Sequence, residues 1–202
     1  MTAFYACAVF CHSRTLPCAP IVHTQTERAA TTIGVLLNLN NVHAMSLESV
    51  IRFFAEHAPD LRILETEAST ATVALAAQAH QVEPGQIAKT LSLRIGERVV
   101  LVVARGDARL DNKKLKDAFG GRAKMLKADE VAELTGHPVG GVCPFGLATP
   151  LPIYCDVSLK DFDIVMPAAG SVNSAVCIAP ERLAELVQAQ WVDVCQLACA
   201  EA

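Results

Sequence analysis

The stretch AKTLSLRIGERVVLVVARG, residues 88–106, contains two strand-like runs separated by a Gly-Glu pair. Runs of this kind joined by a short glycine-containing connection are typical of a β-hairpin. Successive side chains of a strand alternate between its two faces, so Lys89 shares its face with apolar residues, namely Ile87, Leu91 and Leu93. A lysine in such a row either extends its charge to solvent or meets an anionic group in a pocket.

Helices and short strands surround this hairpin. Five helices are predicted: one capped by Ser46 and ended by Pro59, an Ala-rich one opened by Thr70, one capped by Asp111 and ended by Gly120 and Gly121, one ended by Gly136, and one with Pro180 in its first turn. Further strands are predicted around 62–65 and in LPIYCDVSL, DIVMPAAG, SAVCIAP and WVDVCQ. Single helices among many short strands, without a regular β-α-β rhythm, favour an α/β fold of the α+β type. We expect a mixed, curled sheet or barrel surrounded by helices.

Composition limits the class of protein. The chain has 202 residues, 52% of them hydrophobic, which is enough to bury the core of one domain. Its net charge of −4 argues against a protein that coats nucleic acid, so we expect no DNA partner and at most a local RNA-binding patch. The apolar run IGVLLNL is too short to span a bilayer, and no membrane partner is expected.

The first 44 residues differ from the rest of the chain. They contain a single acidic residue, Glu27, and no sustained helical or alternating period. No Lys or Arg precedes Arg14, which disfavours a secretory signal. We expect residues 1–44 to be an unstructured extension, either an organelle leader or the result of a start assigned too early, and residues 45–202 to form the domain.

The eight cysteines are scattered, with no pair at two-residue spacing. Such scatter favours reduced, buried thiols in an intracellular protein. His137 and Cys143 lie in one loop, but the remaining ligands of a metal site would have to be isolated residues, and we predict neither metal nor cofactor. His137 is also the only sequence-local base for a nucleophilic Cys143, which we interpret as a loop thiol.

That loop, TGHPVGGVCPFG at 135–146, contains four glycines and two prolines. It lacks the Lys-Ser/Thr pair of a phosphate loop, and it follows a helix and precedes a strand, which excludes the dinucleotide fingerprint. Glycines allow the backbone to approach a ligand closely, and prolines stiffen the chain. The loop is therefore either the wall of a small pocket, offering N–H groups to a carbonyl or carboxylate, or a plain connection.

Three segments together, IAKTL, GHPVGGVCPFG and VMPAAGSVNSAVCIAPERLAEL, resemble the YbaK and prolyl-tRNA synthetase editing-domain family of freestanding aminoacyl-tRNA deacylases. The resemblance covers the chain from Met45 to about Val194. It implies a mixed β-barrel surrounded by helices, and a small pocket that accepts the aminoacyl end of a mischarged tRNA and hydrolyses its ester in the cytoplasm. The partner it implies is the acceptor end of the tRNA. An aminoacyl-tRNA synthetase is a second partner if the protein acts together with one.

The resemblance also implies roles for particular residues. In the family, the lysine matching Lys89 is needed for activity and holds the terminal phosphate or the carbonyl region of the substrate. The glycine loop positions the aminoacyl carbonyl and corresponds here to Gly136, Gly140, Gly141, Pro144 and Gly146. The attacking group is water or a group of the substrate itself. The Thr90 hydroxyl either contacts the ligand or bonds to the strand edge.

The turn AAGSVNSA departs from the cysteine-specific branch of the family. Ala168 and Ala175 stand where that branch has Ser and Asp. Gly170, Ser171 and Asn173 either face the pocket in their place or are ordinary turn residues. The aminoacyl group therefore stays open among Cys, Ala, Ser and Thr.

Basic residues cluster within fifteen positions of one another: Lys113, Lys114, Lys116, Arg122, Lys124 and Lys127. They form either a patch for the acceptor-stem phosphates or an ordinary solvated face. Two other classes of protein remain open. One is a non-catalytic RNA- or synthetase-binding module of the same fold, and the other is a metal or redox protein that uses its cysteines.

Overall fold

A computed structural model of the chain describes residues 46–197, so the predictions for residues 1–44 lie outside the described residues. The helices are α1 (46–57), α2 (Val73–His80), α3 (Asn112–Phe119), α4 (Ala128–Thr135) and α5 (Pro180–Leu186). The strands are β1 (Ile63–Glu65), β2 (Ile87–Ile95), β3 (Arg98–Arg105), β4 (Ala108–Leu110), β5 (Ala123–Met125), β6 (Ile153–Asp156), β7 (Met166–Pro167), β8 (Ser174–Val176), β9 (Gln190–Val192) and β10 (Cys195–Leu197). Two 3₁₀ turns, Pro84–Gln86 and Val157–Asp161, complete the order.

The central sheet is mixed, as predicted. Its strands follow the order β5-β2-β3-β6-β9, with β7 also paired to β2. The hairpin β2–β3 and the pair β2–β5 are antiparallel, whereas β6 runs parallel to β3 and β9 runs parallel to β6. Two smaller pairs, β1–β8 and β4–β10, flank this sheet. The predicted α+β fold, a mixed sheet with helices packed around it, is confirmed.

Both faces of the hairpin are buried, because strand alternation points its side chains into two cores. On one face Val103 packs in a cluster with Val50 and Phe54 of α1 and with Leu183 of α5. On the other face Val102 packs with Leu115 of α3 and with other apolar residues. A third, small cluster lies under α2 and joins Ala76, Ala77, Ile87, Met166 and Ala175.

Several helix ends follow the predicted chemistry. Asp111 accepts hydrogen bonds from the N–H groups of Lys113 and Lys114, and Gly120 and Gly136 end α3 and α4 in the left-handed region. Two caps were predicted wrongly. Thr72, not Thr70, caps α2. Ser46 is already helical, and its hydroxyl lies 2.5 Å from both the Gly170 carbonyl oxygen and His137 Nδ1.

No helix within residues 46–197 is long and apolar enough to cross a membrane. The four cysteines of this range, Cys143, Cys155, Cys177 and Cys195, are free thiols.

Candidate active site

A gap in the sheet lies beside β2. On the edge away from β3, β2 pairs with β7 at Ile87–Ala88 and with β5 at Leu93–Ile95. Between these pairings no described strand covers β2, and its exposed edge faces a cavity of about 260 Å³. The Leu126 N–H donates to the Ser92 carbonyl on this edge, and the alternation of a strand directs the N–H and C=O of Thr90 to the same side. The gap therefore offers both backbone hydrogen-bonding groups to a ligand.

Four elements enclose this cavity. α2 contributes Val73, Ala76 and His80, and the β7–β8 region contributes Met166, Ala168 and Ala175. The glycine loop contributes Val139, Gly140 and Val142. On the side of β5 and α4, the lining residues are Met125, Leu126 and Val131. Met125 and Val139 are 58% and 59% exposed, so the cavity opens to the surface beside them. Its volume lies just below the range for small-molecule sites, about 300–1,000 Å³, which suits a small group.

Among the described residues, Lys89 is the one Lys, Arg, Asp or Glu that lines the cavity. Its Nζ donates to the carbonyl oxygens of Gly106, at 2.8 Å, and of Ala108. An ammonium group has three N–H donors, so these two hydrogen bonds leave one donor without a partner within residues 46–197. Burial lowers the pKa of Lys89, an effect that the nearby Cys195 and Asp107 oppose.

A steric constraint explains why residue 106 is a glycine. A Cβ there would overlap the Pro84 carbonyl oxygen and approach Val73 to 2.6 Å. The turn that presents the Gly106 carbonyl to Lys89 therefore depends on this residue.

The other polar side chains of the cavity divide into two groups. Thr70 donates to the Val172 carbonyl, the Thr72 hydroxyl accepts from the Leu75 N–H, and Ser174 bonds with Ser171. Three buried atoms have no hydrogen-bond partner among residues 46–197: His80 Nε2, Thr90 Oγ1 and Ser92 Oγ. Sequence reasoning named Thr90 but missed His80 and Ser92. The sequence pattern that could have identified Ser92 is its position two residues after Thr90, on the same strand face. His80 could have been identified by its position on the apolar face of α2.

Of the five predicted binding residues of the glycine loop, one, Gly140, lines the cavity. Gly140 has φ +90°, and a Cβ there would lie 2.8 Å from Ala71 Cβ. Gly136 ends α4, and Gly141 and Gly146 lie against the backbones of Ser171 and Ser49. Pro144 and Gly146 border a separate shallow groove next to Phe53 and His57. The structure therefore places Gly136, Gly141, Pro144 and Gly146 where they shape the loop, outside the cavity wall.

The turn after β7 also lies behind the cavity wall. Gly170 has φ +91° and lies against Ser46, while Ser171 Oγ lies 2.7 Å from both Asn173 Oδ1 and Ser174 Oγ. Asn173 Nδ2 donates to the Thr66 carbonyl. None of these three predicted binding residues lines the cavity, whereas Ala168 and Ala175 do, joined by a β-bridge. The turn therefore holds the apolar wall in place.

His137 and Cys143 lie inside the protein, away from the cavity. Both are 0% exposed, with Cys143 Sγ 3.6 Å from His137 Nε2, and that nitrogen lies 2.9 Å from the Phe145 carbonyl oxygen. Burial raises the pKa of Cys143 to about 12, so the thiol is protonated at neutral pH and is a poor nucleophile. Within residues 46–197, no three His, Cys, Asp or Glu side chains are placed to hold a metal ion.

The predicted basic patch is partly engaged within the protein. Lys114 Nζ lies 2.6 Å from Asp193 Oδ1 and donates to the Cys195 carbonyl. The other members are exposed: Lys113, Lys116, Arg122, Lys124 and Lys127. Lys124 lies on β5, one residue before the cavity residue Met125, and strand alternation points it to the opposite face.

The mixed sheet has a small cavity at one edge, and a lysine belongs to the wall of that cavity. The model of the aminoacyl-tRNA editing domain family matches residues 67–186, and the chain belongs to that family. The resemblance to the YbaK and prolyl-tRNA synthetase editing domains is thereby confirmed.

Individual relatives agree with this assignment. The uncharacterized protein YwhH of Bacillus subtilis (strain 168) is 49% identical over 154 residues, which cover 75% of this chain and 98% of YwhH. A proline–tRNA ligase of Bacillus cytotoxicus is 32% identical over 76 residues, 37% of this chain but 13% of the ligase. A crystal structure described as a candidate trans-editing enzyme for prolyl tRNA synthetase superposes with a TM-score of 0.70 at 35% identity, over 75% of this chain and 97% of that one.

Proposed function

We propose that this protein hydrolyses the ester between a small, wrongly attached amino acid and a tRNA, acting in trans as a separate protein. The observation that carries the proposal is the position of Lys89, a residue of the cavity wall whose ammonium group donates to the Gly106 and Ala108 carbonyl oxygens and has a third N–H donor. The family match supports a tRNA substrate, and the similar structure described as a candidate trans-editing enzyme supports action in trans.

In the proposed reaction, the oxygen of a water molecule bonds to the acyl carbon and the bond from that carbon to the ribose oxygen breaks. The ribose oxygen takes up a proton, and the free amino acid leaves the tRNA. Negative charge develops on the acyl oxygen in the transition state, where a preorganised donor is most effective. Lys89 is the proposed donor, to that oxygen or to the terminal phosphate, with Thr90 and Gly140 positioning the substrate.

The attacking group in this proposal is water or a group of the substrate itself. Cys143 supports that choice, because its thiol is protonated and lies outside the cavity. Correct positioning of an already activated ester contributes a large part of such a reaction's rate.

The proposed partner surface is the exposed basic group on α3 and around β5, which would contact acceptor-stem phosphates. A proline-specific synthetase is the second partner to test, because the chain matches a segment of a proline–tRNA ligase.

The test is deacylation by the full chain of proline tRNA charged with Cys, Ala, Ser or Thr. We expect turnover of at least one ester and a loss of about 100-fold or more in kcat/KM for Lys89→Ala. Lys160→Ala is the matched control, because Lys160 stacks over Trp191 outside the cavity. Full activity of Lys89→Ala, with an unchanged circular dichroism spectrum, would refute the assignment of Lys89. If the folded wild type binds tRNA but cleaves no ester, the protein is a binding module of the same fold.

A further inference from the structure

The unpaired polar atoms of the described residues are confined to one place. His80 Nε2, Thr90 Oγ1 and Ser92 Oγ are the buried side-chain nitrogen and oxygen atoms without a partner within residues 46–197, and all three residues line the cavity beside β2. Ser92 is 3% exposed. Other buried polar groups, such as Asp156 and Ser174, have partners within the protein. Because unpaired buried polar groups are costly, their concentration at one cavity points to a ligand that pairs with them.

These atoms come from two neighbouring elements. Thr90 and Ser92 are two residues apart on one face of β2, about 7 Å along the strand. His80 lies in the last turn of α2, which packs beside β2. Burial lowers the pKa of His80, which favours the neutral ring, and a neutral imidazole nitrogen can accept or donate according to its tautomer.

Apolar side chains from β7, β8 and the segment between them form another part of the cavity lining. Ala168 and Ala175 lie there with Met166, and no Asp or Glu of residues 46–197 lines the cavity. The cavity lining therefore combines the unpaired polar side chains of His80, Thr90 and Ser92 with the methyl groups of Ala168 and Ala175.

We propose that His80, Thr90 and Ser92 form a polar wall that selects an aminoacyl group with a side-chain hydroxyl, serine or threonine, over alanine. This inference rests on the proposed function and deepens it by naming the substrate class. A hydroxyl both donates and accepts, so it pairs with another hydroxyl or with the imidazole, whereas a methyl group leaves the wall unpaired. Sites built to pair with a substrate hydroxyl discriminate strongly against the analogue that lacks it. A thiol is a weak hydrogen-bonding group, so cysteine is expected between the two.

The first test compares seryl, threonyl, cysteinyl and alanyl esters on one and the same tRNA, hydrolysed by the full chain. We expect kcat/KM for the seryl ester to exceed that for the alanyl ester by at least about tenfold. Ser92→Ala is expected to lower this ratio by about tenfold, and the near-isosteric Thr90→Val is expected to lower it as well. The matched control is Ser49→Ala, which removes a hydroxyl bonded to the Ser46 carbonyl outside the cavity and should leave both rate and ratio unchanged.

The second test measures binding without turnover, by calorimetry with non-hydrolysable seryl and alanyl amides of 3′-amino-3′-deoxyadenosine. Tighter binding of the seryl amide, lost in Ser92→Ala, supports the polar wall even if no ester is cleaved, in which case the hydrolase proposal alone fails. Equal affinity for the two amides, or a preference that Ser92→Ala does not change, overturns the polar wall even if esters are hydrolysed. The wild-type comparison needs no variant, so it remains decisive if a substitution impairs folding.

Discussion

Lys89 donates a hydrogen bond to the carbonyl oxygen of Ala108, the first residue of β4. β4 pairs with β10, and the start of β10 is fixed by Asp156, whose Oδ2 accepts the N–H groups of Val194 and Cys195 at 2.8 and 3.0 Å. A buried carboxylate on β6 therefore supports, through two short strands, the carbonyl that holds the cavity lysine.

The first prediction concerns this carboxylate. Asp156 is 1% exposed, and its Oδ1 accepts from the N–H and the hydroxyl of Ser158. Asp156→Asn replaces one acceptor oxygen with a donor group that faces other donors, so we expect unfolding free energy to fall by about 1–3 kcal/mol in urea denaturation. Activity should fall as well, because the support of Lys89 loosens.

The control is Asp163→Asn, which removes a charge from an exposed carboxylate. Its effect should stay within about 0.5 kcal/mol. Equal stability of the two variants would show that the Asp156 hydrogen bonds do not hold β10 in place.

The second prediction concerns Gly141, which lies against the backbone of Ser171. A Cβ on Gly141 would be 2.7 Å from the carbonyl carbon of Ser171. Because two backbones must separate to admit the methyl group, Gly141→Ala should cost about 1–3 kcal/mol of unfolding free energy and shift the neighbouring Gly140 at the cavity. Thermal unfolding measures the first effect, and deacylation kinetics the second.

Gly121→Ala is the comparison for this substitution. The nearest atom to its Cβ is a side-chain methyl carbon of Ile95, 3.2 Å away, which can yield more readily than backbone. A loss for Gly141→Ala no larger than that for Gly121→Ala would contradict the close packing of the loop on the Ser171 backbone.

Local signals in the sequence were sufficient for the hairpin and for most helix ends. The alternation of strand residues predicts the position of Lys89 on β2. The caps Asp111, Gly120 and Gly136 act on neighbouring backbone groups, so they can be predicted from a few adjacent residues. The three-residue strands β4 and β5 were missed because they exist only through pairing with distant segments. Ser46 was misassigned as a cap because its partners are 91 and 124 residues away.

The candidate site was predictable only in part, for the same reason. The cavity lies beside the part of β2 that pairs with neither β7 nor β5. A local sequence pattern does not predict which segments of two distant strands remain unpaired. The glycine loop was expected to face a ligand, but glycine serves equally where backbone packs on backbone, as at Gly141 and Gly146. Whether Gly136, Gly141, Gly146 and Pro144 affect substrate binding stays a prediction.

The third prediction concerns pH. Burial lowers the pKa of His137 below its ordinary value of 6.5, only partly opposed by its hydrogen bond to the Phe145 carbonyl. Below about pH 6.5 the unfolded chain takes up a proton at this residue while the folded chain does not. Stability is therefore fully present above pH 6.5 and falls as the pH drops further, by up to about 1.4 kcal/mol per pH unit.

Urea unfolding at pH 7.5, 6.5 and 5.5 measures this loss. His137→Gln should make the decline less steep, leaving the part that His80 contributes because burial lowers its pKa too, whereas His57→Gln, at an exposed position on α1, should preserve the full decline. A decline equally steep in His137→Gln would assign the acid sensitivity to other groups.

The last prediction concerns the exposed lysines of α3. Lys113 and Lys116 are free of ion pairs within residues 46–197, whereas Lys114 is held by Asp193 and the Cys195 carbonyl. If the first two contact tRNA phosphates, the double change to alanine should weaken tRNA binding and reduce the slope of log K against log salt by about one per lost contact. Lys114→Ala should instead lower thermal stability with a smaller change in slope, because its charge is already paired. Filter binding at several salt concentrations separates the two results, and an unchanged slope in the double variant would place the RNA contact on another surface.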